Sequence, residues 1–495
     1  MLENSVELWE NVIFEDANIP ISYWPHLPGL GGICIFEGRL KELMANDPNL
    51  HFPTVIAILP RPNQAFWTLS AIWSGWLLGK NAVTPFRSVL QRKRYDWGWH
   101  TRALHSVFEE LARLKKQPIH INTFIEEYEP HFLSASLIAG DKAGLFLKDF
   151  AYQSDEHRAQ IGWSLSSALP LKSELINKNT ISDSVLQHRI EEVLYDYIDR
   201  FNEPLSFAKA HAIAISNLVH FIASDKQNSV SNIALLDVLP FEKINDFPNT
   251  FQDLLIKTIK ESHILLSIPN EDKPIENKYL WIKGEQQSQI VPISDKIELE
   301  SLKFFQQNKT FTYAEFLEFI YHKFRGFATP AKQLLEICFS SYSKLDPQRA
   351  IWEIRQEDEV EQRIKDLDEM KNLIYDLGKK LNVEVLVDRN LSWKTPQGEI
   401  VNEWLVQSTG FVSEIFNHDD PIKKYLVIPG SRVKLILFKL RHNPIANEIF
   451  QHNWKIVRFR QLRWIIEQPD VDFVHFEKLL NLDPLQDDTP QLSFW

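Results

Sequence analysis

The sequence predicts an α/β protein with a helical middle. Three observations carry this. Over residues 1–160, short apolar runs alternate with helix-length stretches, the pattern of a parallel strand-and-helix sheet. Residues 165–300 and 301–380 are mainly helical in pattern. From 381 strand-like runs return and lead into helices, which marks a second, smaller α/β unit over 381–485, with a tail at 486–495.

In the first unit, 32–37 (GICIFE) and 54–59 (TVIAIL) read as buried strands, and 119–124 (IHINTF) and 145–151 (LFLKDFA) as two more. Helices are expected at 38–46, 64–80, 100–116 and 130–143. In the second region helices are expected at 184–201, 205–224 and 247–264, with a break at Asn202-Glu203-Pro204, because Pro204 ends a helix or starts the next. ILLSIP and KYLWIKG then form a hairpin, and three helices plus a hairpin is the outline of a winged helix. In the third region Thr312 caps AEFLEFIYHKF, with Glu315 completing a capping box. The stretch 353–380 reads as a solvated helix, with Glu361 four residues before Lys365 and Glu359 four before Arg363. The fourth region opens with strands VEVLVDR, IVNEWLVQS and KYLVIPG. Helices follow at 432–441 and 444–450 and from about 457.

A chain of 495 residues allows about three domains. With 15 Trp, 32 Phe and 12 Tyr it can bury a large core, which excludes disorder as the main theme, and 16 Gly exclude a collagen-like chain. Two cysteines, Cys34 and Cys338, supply neither a disulfide framework nor a structural zinc site, so a reducing cytoplasm is the expected compartment. The acidic start does not read as a signal peptide. The most apolar stretch, AFWTLSAIWSGWLLG at 65–79, is shorter than the roughly 20 residues of a membrane span and is expected to be a buried helix. The net charge of -12 argues against nucleic-acid binding over the whole surface and directs attention to local basic patches.

The segment TVIAILPRPNQAFW is the most informative in the first region: a buried strand ends in Leu59-Pro60-Arg61-Pro62 and a helix follows. In doubly wound sheets ligands bind at the carboxyl ends of strands. This part of the chain resembles the second half of a class I DNA methyltransferase of the N6-adenine or N4-cytosine type, whose strand ends in Asp/Asn/Ser-Pro-Pro-Tyr/Phe/Trp. The runs AFWTLSAIWSGWLLG, QRKRYDWGWH, YLVIPGSRVKLILFKLRHNP and NWKIVRFRQLRW extend the similarity to large bacterial proteins of DNA-methylase type. The resemblance implies a partial Rossmann-like methyltransferase sheet, with 33–36 as the strand before 54–59. The motif is degenerate. Leu59 stands where the family's residue accepts a hydrogen bond from the target amino group, and Pro62 where an aromatic stacks on the flipped base. The only Gly-rich turn, Pro28-Gly29-Leu30-Gly31-Gly32, precedes a strand rather than following one, so the half that binds S-adenosylmethionine is missing and this chain carries no cofactor site of its own.

Two basic segments are candidate DNA contacts. In QRKRYDWGWH, Arg92, Lys93 and Arg94 interleave with aromatics that include Trp97 and Trp99, which suits phosphate contact and base stacking; the other reading is a helix-linking loop with its aromatics in the core. Residues 423–463 carry a net +9, with Glu448 the only acid. Its candidates are Arg432, Lys434, Lys439, Arg441, Lys455, Arg458, Arg460 and Arg463, of which Arg458, Arg460 and Arg463 fall near one another on a helix. Pro429-Gly430-Ser431 before a helix suits an anion. The other reading is a solvated face paired with acids elsewhere.

The fourth region also resembles the restriction-endonuclease-like core, with Glu384, Asp388 and Glu403 on strands. Leu405 stands where that family needs Lys, so a degenerate nuclease-like fold is expected. No nucleophile elbow, zinc helix motif or P-loop is present, and the 16 His show no metal spacing. At the tail, Gln491, Leu492, Phe494 and Trp495 of QLSFW resemble the pentapeptide that binds the bacterial sliding clamp; docking of the tail on the chain's own core is the other reading.

The expectation is a DNA-binding subunit of a prokaryotic DNA-modification or phage-defence system, methyltransferase-like but inactive alone, with no metal and no membrane span. The alternative is a split DNA methyltransferase completed by a partner chain that carries the S-adenosylmethionine site. A structural assembly protein is the third reading.

Overall fold

The structure is a computed structural model. It describes residues 19–29, 31–46, 52–61, 64–90, 96–113, 119–153, 155–165, 183–219, 246–269, 273–283, 291–347, 349, 351–388, 390–395, 397–416, 422–469 and 471–480. Among them no helix is long and apolar enough to cross a membrane.

The first unit starts with β1 (Ile21–Tyr23) and β2 (Ile33–Ile35), which pair parallel as a separate two-stranded sheet, and α1 (Leu40–Asn46). Then come β3 (Thr54–Ile58), α2 (Gln64–Leu78), a 3-10 turn (Lys80–Phe86), α3 (Arg87–Leu90), α4 (Trp97–Ala112), β4 (Ile119–Ile125), α5 (Pro130–Lys142), β5 (Phe146–Gln153) and β6 (Arg158–Leu165). The sheet runs β3-β4-β6-β5. Only β3 and β4 are parallel; β6 is antiparallel to both its neighbours.

This corrects two expectations. The strand at 33–35 does not join the sheet, and the sheet is mixed rather than parallel. The cause is β6: it follows β5 after too short a connection for a crossover, so the two can only form a hairpin. One face of β4, with Ile119, Ile121, Thr123 and Ile125, is buried, while His120, Asn122 and Phe124 on the other are more open. The core of α4, α5 and this face includes Phe108, Phe132 and Trp163.

A third correction concerns α2, which is not the buried helix its composition predicts. Its Ala71 and Gly75 side meets the 3-10 turn, where a Cβ on Gly75 would lie 2.9 Å from Val83 Cγ2. Its opposite side is exposed.

The second unit follows the order helix, short strand, helix, helix, hairpin: α6 (Asp183–Phe201), β7 (Leu205–Ser206), α7 (Phe207–Ser216), α8 (Phe247–Glu261), β8 (Leu265–Ile268) and β9 (Tyr279–Ile282). The strands form an antiparallel sheet in the order β7-β9-β8. Ser206 caps α7 by accepting from Lys209 N at 3.3 Å. One hydrophobic core runs without interruption from the first unit into this one. At the seam Ser134 of α5 bonds His211 of α7 at 3.1 Å, and α8 packs on α4 and α5.

The third unit holds α9 (Ile293–Gln307), α10 (Tyr313–Lys323), α11 (Lys332–Tyr342) and the hairpin β10 (Ser343–Asp346) and β11 (Ile351–Ile354). The Thr312–Glu315 capping box is present. Its core is aromatic, built from Phe304, Phe305, Phe311, Phe316, Phe339 and Tyr342.

The fourth unit comprises α12 (Val360–Lys380), β12 (Glu384–Val387), β13 (Leu391–Lys394), β14 (Ile400–Val406), α13 (Ser413–Phe416), β15 (Lys423–Ile428), α14 (Val433–His442), α15 (Pro444–Asn453), β16 (Trp454–Arg458), α16 (Phe459–Ile466) and α17 (Phe473–Leu480). The sheet keeps chain order, β12-β13-β14-β15-β16. Its first three strands are antiparallel and its last three parallel. Although charged along most of its length, α12 is not fully solvated: Met370, Ile374, Leu377 and Gly378 sit at helical spacing on its buried face. A Cβ on Gly378 would lie 2.5 Å from Val385 Cγ2 and 3.0 Å from Trp393 Nε1, so the helix can sit this close to the sheet only with glycine there.

Candidate anion site at the carboxyl ends of the C-terminal parallel strands

Because β14, β15 and β16 are parallel, their carboxyl ends at Val406, Ile428 and Arg458 lie on one edge of the sheet. Such an edge is where open α/β sheets bind ligands. Ser408 follows β14, Gly430 and Ser431 lead into α14, and Arg458 ends β16. The first turn of α12 adds Arg363, and the loop before it adds Glu357 and Asp358.

Hydrogen bonds tie these residues into one group. Arg363 Nε and Nη2 donate to Ser408 Oγ at 3.0 and 2.8 Å. Arg432 Nε donates to the Ser408 carbonyl at 3.1 Å, and its other nitrogens reach the Ser341 carbonyl, Ser431 Oγ and the Asp358 carboxylate. Ser431 in turn donates to Glu357 at 2.7 Å. Arg355, whose Nη2 donates to the Ser340 carbonyl at 2.9 Å, borders the group, and its Nε is buried without a partner.

Two kinds of arginine result. Arg432 is fully buried, lies 3.4 Å over the Tyr342 ring and pairs with buried Asp358. Burial works to discharge Arg432, but Tyr342 and Asp358 outweigh it and hold the guanidinium above its ordinary range. Burial raises the Asp358 pKa, with Arg432 opposing. This pair is structural. Arg363, by contrast, is half-buried; its guanidinium donates to a neutral hydroxyl and also acts through space on the Asp358 carboxylate. Lys434, at the start of α14, and Arg460, at the start of α16, are exposed close in sequence to the carboxyl ends of β15 and β16. Guanidinium groups and hydroxyls on a strand-to-helix turn match the oxygens of a phosphate.

Several expected DNA contacts lie elsewhere, and three are corrected. Arg432 cannot reach a ligand. Neither can Lys439, which is buried and bound to Asp295 at 2.7 Å and to the Glu298 carboxylate. Arg463 pairs with Asp366 and Glu369 at 3.2 and 2.7 Å on the flank of α12. Nor do Arg458, Arg460 and Arg463 share a helix face, since Arg458 ends a strand and is buried. Lys455 lies 3.7 Å from Glu477, and Lys423 pairs with the same carboxylate at 2.5 Å. Arg441 is exposed on the last turn of α14, away from the strand ends. Much of the +9 is therefore cancelled by acids distant in sequence.

In the first unit Trp97 is a core residue, stacked at 5.8 Å on His131 and 6.2 Å on Phe132, which favours the core reading; Trp99 is half-buried. Arg92, Lys93 and Arg94 lie outside the described residues, as do Pro62 and the tail residues Gln491, Leu492, Phe494 and Trp495. At the carboxyl ends of β3 and β4, Leu59 is buried, Pro60 is exposed and Arg61 is clamped by Glu127 and, at 2.8 Å, by Glu129. Burial opposes the charge on Arg61, but the two glutamates hold its pKa raised. With Glu126 beside them this end is acidic. A cavity of about 1030 Å³ over the more open sheet face is lined by Asn122, Phe124, Asp149, Gln160, Tyr321 and Phe327, among others.

The nuclease-like acids do not converge. Glu384 is on β12 and Glu403 on β14, with β13 between them, and Glu403 is in register with Ser392 and Lys424. No group of three potential metal ligands occurs among the described residues. Sequence reading missed Arg363 and Ser408: the i,i+4 spacing suggested that Arg363 pairs with Glu359, whereas its guanidinium turns to a serine far along the chain. Comparison of the chain with protein-family models, with curated proteins and with solved structures finds no match.

Proposed function

We propose that the chain is a DNA-binding subunit of a prokaryotic DNA-modification or phage-defence assembly, and that it grips backbone phosphate at the carboxyl edge of the C-terminal sheet. The observation that carries this reading is the gathering of Arg363, Ser408, Gly430 and Ser431 at the carboxyl ends of the parallel strands, with exposed Lys434 and Arg460 at the starts of the helices that follow. Phosphate contacts position a protein on DNA without reading sequence. The assignment to a modification or defence system rests on the methylase resemblance alone. The order of elements over 183–282, with strands β7-β9-β8, supports the winged-helix reading of the middle. In that reading α8 packs on α4 and α5 and has its surface partly occupied, which leaves the C-terminal edge as the main grip.

The split-methyltransferase reading has one observation in its favour. Among the described residues the first sheet ends at β3, a strand parallel to its neighbour with Ile56 and Ile58 exposed, so further parallel strands could be added there. Leu59, at the position that would accept from the target amino group, is apolar and buried, so catalysis by this chain alone is not part of the proposal.

The test is fluorescence anisotropy with a duplex oligonucleotide across a salt series. Wild type should bind with a clear salt slope. Lys434→Glu with Arg460→Glu should weaken binding and flatten the slope by about 0.9 for each phosphate no longer neutralised. Arg113→Glu, in the first unit and already paired with Glu110 at 2.7 Å, should leave both unchanged. Absence of duplex binding at low salt would sink the proposal, and so would an unchanged slope in the double variant.

A further inference from the structure

The exposed side of α2 is the feature hardest to reconcile with an isolated chain. Leu69, Ile72, Trp73, Trp76 and Leu77 follow the i, i+3, i+4, i+7, i+8 spacing of a helix face built to be buried, yet they are 42–77% exposed together with Leu78. Trp73 and Trp76 pack edge to face on each other, with ring centroids 5.6 Å apart, and form the centre of the stripe. No Asp, Glu, Lys or Arg occurs anywhere in Gln64–Leu78.

We propose that this face is the interface between two copies of the chain. Taking roughly 200 Å² for a large side chain fully in solvent, the six residues present on the order of 750 Å². That exceeds the largest apolar patch of a typical monomer and is close to the roughly 800 Å² each partner contributes to a stable interface. Charge points to a second copy as occupant. Two chains of net charge -12 repel one another over most of their surface, and an uncharged stripe is a place where identical chains can meet without that cost. An apolar stripe is also self-complementary, as a two-fold interface requires. Residues near the ends of the stripe on one copy would meet those near its ends on the other, with the Trp73–Trp76 pairs at the centre, where anchoring aromatics are most effective.

Sedimentation velocity of the full chain, over about 1 to 50 µM, tests this. Wild type should run as a dimer that dissociates on dilution. Trp73→Glu with Trp76→Glu should run as a monomer throughout and still melt cooperatively, at a temperature that does not depend on protein concentration, because the residues it alters are exposed within one chain. Leu69→Lys with Leu77→Lys is the second pair should the first fail to fold, and Trp76→Phe should keep the dimer. A wild type that stays monomeric at the top of the range overturns the proposal. Its capture by phosphatidylethanolamine–phosphatidylglycerol vesicles would then assign the face to lipid instead. A dimer that survives both charged pairs overturns it as well.

Discussion

Replacing Lys439 with methionine separates a phosphate contact from a structural ion. Its ammonium sits between α9, α14 and the loop before α13, 2.7 Å from Asp295, in contact with Glu298 and 3.0 Å from the Gly410 carbonyl. Asp295 also accepts from Val412 N and Ser413 N, and Glu298 accepts from Gly410 N and from the Tyr342 hydroxyl. All three ionic side chains are at most 1% exposed. The variant keeps the stem but leaves two carboxylates buried without their counter-ion. Removing one partner of a buried pair costs about 3–5 kcal/mol, and two stranded acids place this case toward the upper end. A loss of that size is a large fraction of a domain's whole stability.

Urea unfolding followed by circular dichroism measures this, with the transition of the third and fourth units moving to lower denaturant. Asp295→Asn and Glu298→Gln added to Lys439→Met should restore much of the loss, because the stranded charges are then gone. Burial alone would lower the Lys439 pKa, but Asp295 and Glu298 outweigh it and hold it raised. A raised lysine contributes fully below its unfolded pKa of about 10.4 and loses that contribution only as pH rises through the higher folded value, so the effect should be flat from about pH 6 to 9. A loss below about 1 kcal/mol would refute the reasoning, since that is what an exposed pair such as Arg463–Glu369 is worth.

Acid should destabilise the seam between the first two units. Burial lowers His100 to about 4 and His211 to about 3, so both are neutral in the fold and protonate first in the unfolded chain. Their contribution is present above the unfolded pKa of about 6.5 and falls with pH below it, by about 2 kcal/mol each by pH 5. His100→Phe, at a site flanked by Trp97 and Phe132, should remove about half of that acid loss in urea titrations at pH 7 and 5; an unchanged loss would clear His100 of the effect. Gly378→Ala should lower stability by about 1–3 kcal/mol by pushing α12 off Val385 and Trp393, and a neutral result in thermal melts would mean that the helix can shift.

The amino-acid order alone located most elements. The apolar runs at 54–59, 119–124 and 145–151, the Pro204 break and the Thr312–Glu315 capping box are local signals, set by side-chain period and by hydrogen bonds within a few residues. Strand direction was not local. The hairpin partner β6 (RAQIGWSL) alternates polar and apolar residues, but that pattern marks a strand without saying which neighbours it takes, and without β6 a mixed sheet looks parallel.

The candidate site was legible only as a surplus of positive charge. Which of those charges are available depends on acids 74 to 144 residues away, such as Asp358 for Arg432 and Asp295 for Lys439. Likewise, composition marked α2 as a helix that needs burial, while the fold decided that nothing in the described chain covers one side of it. A sequence records how strongly a side chain seeks a counter-ion or an apolar neighbour. Only the packed chain determines whether it finds one, because desolvation and Coulomb energies depend on separations in space rather than along the chain.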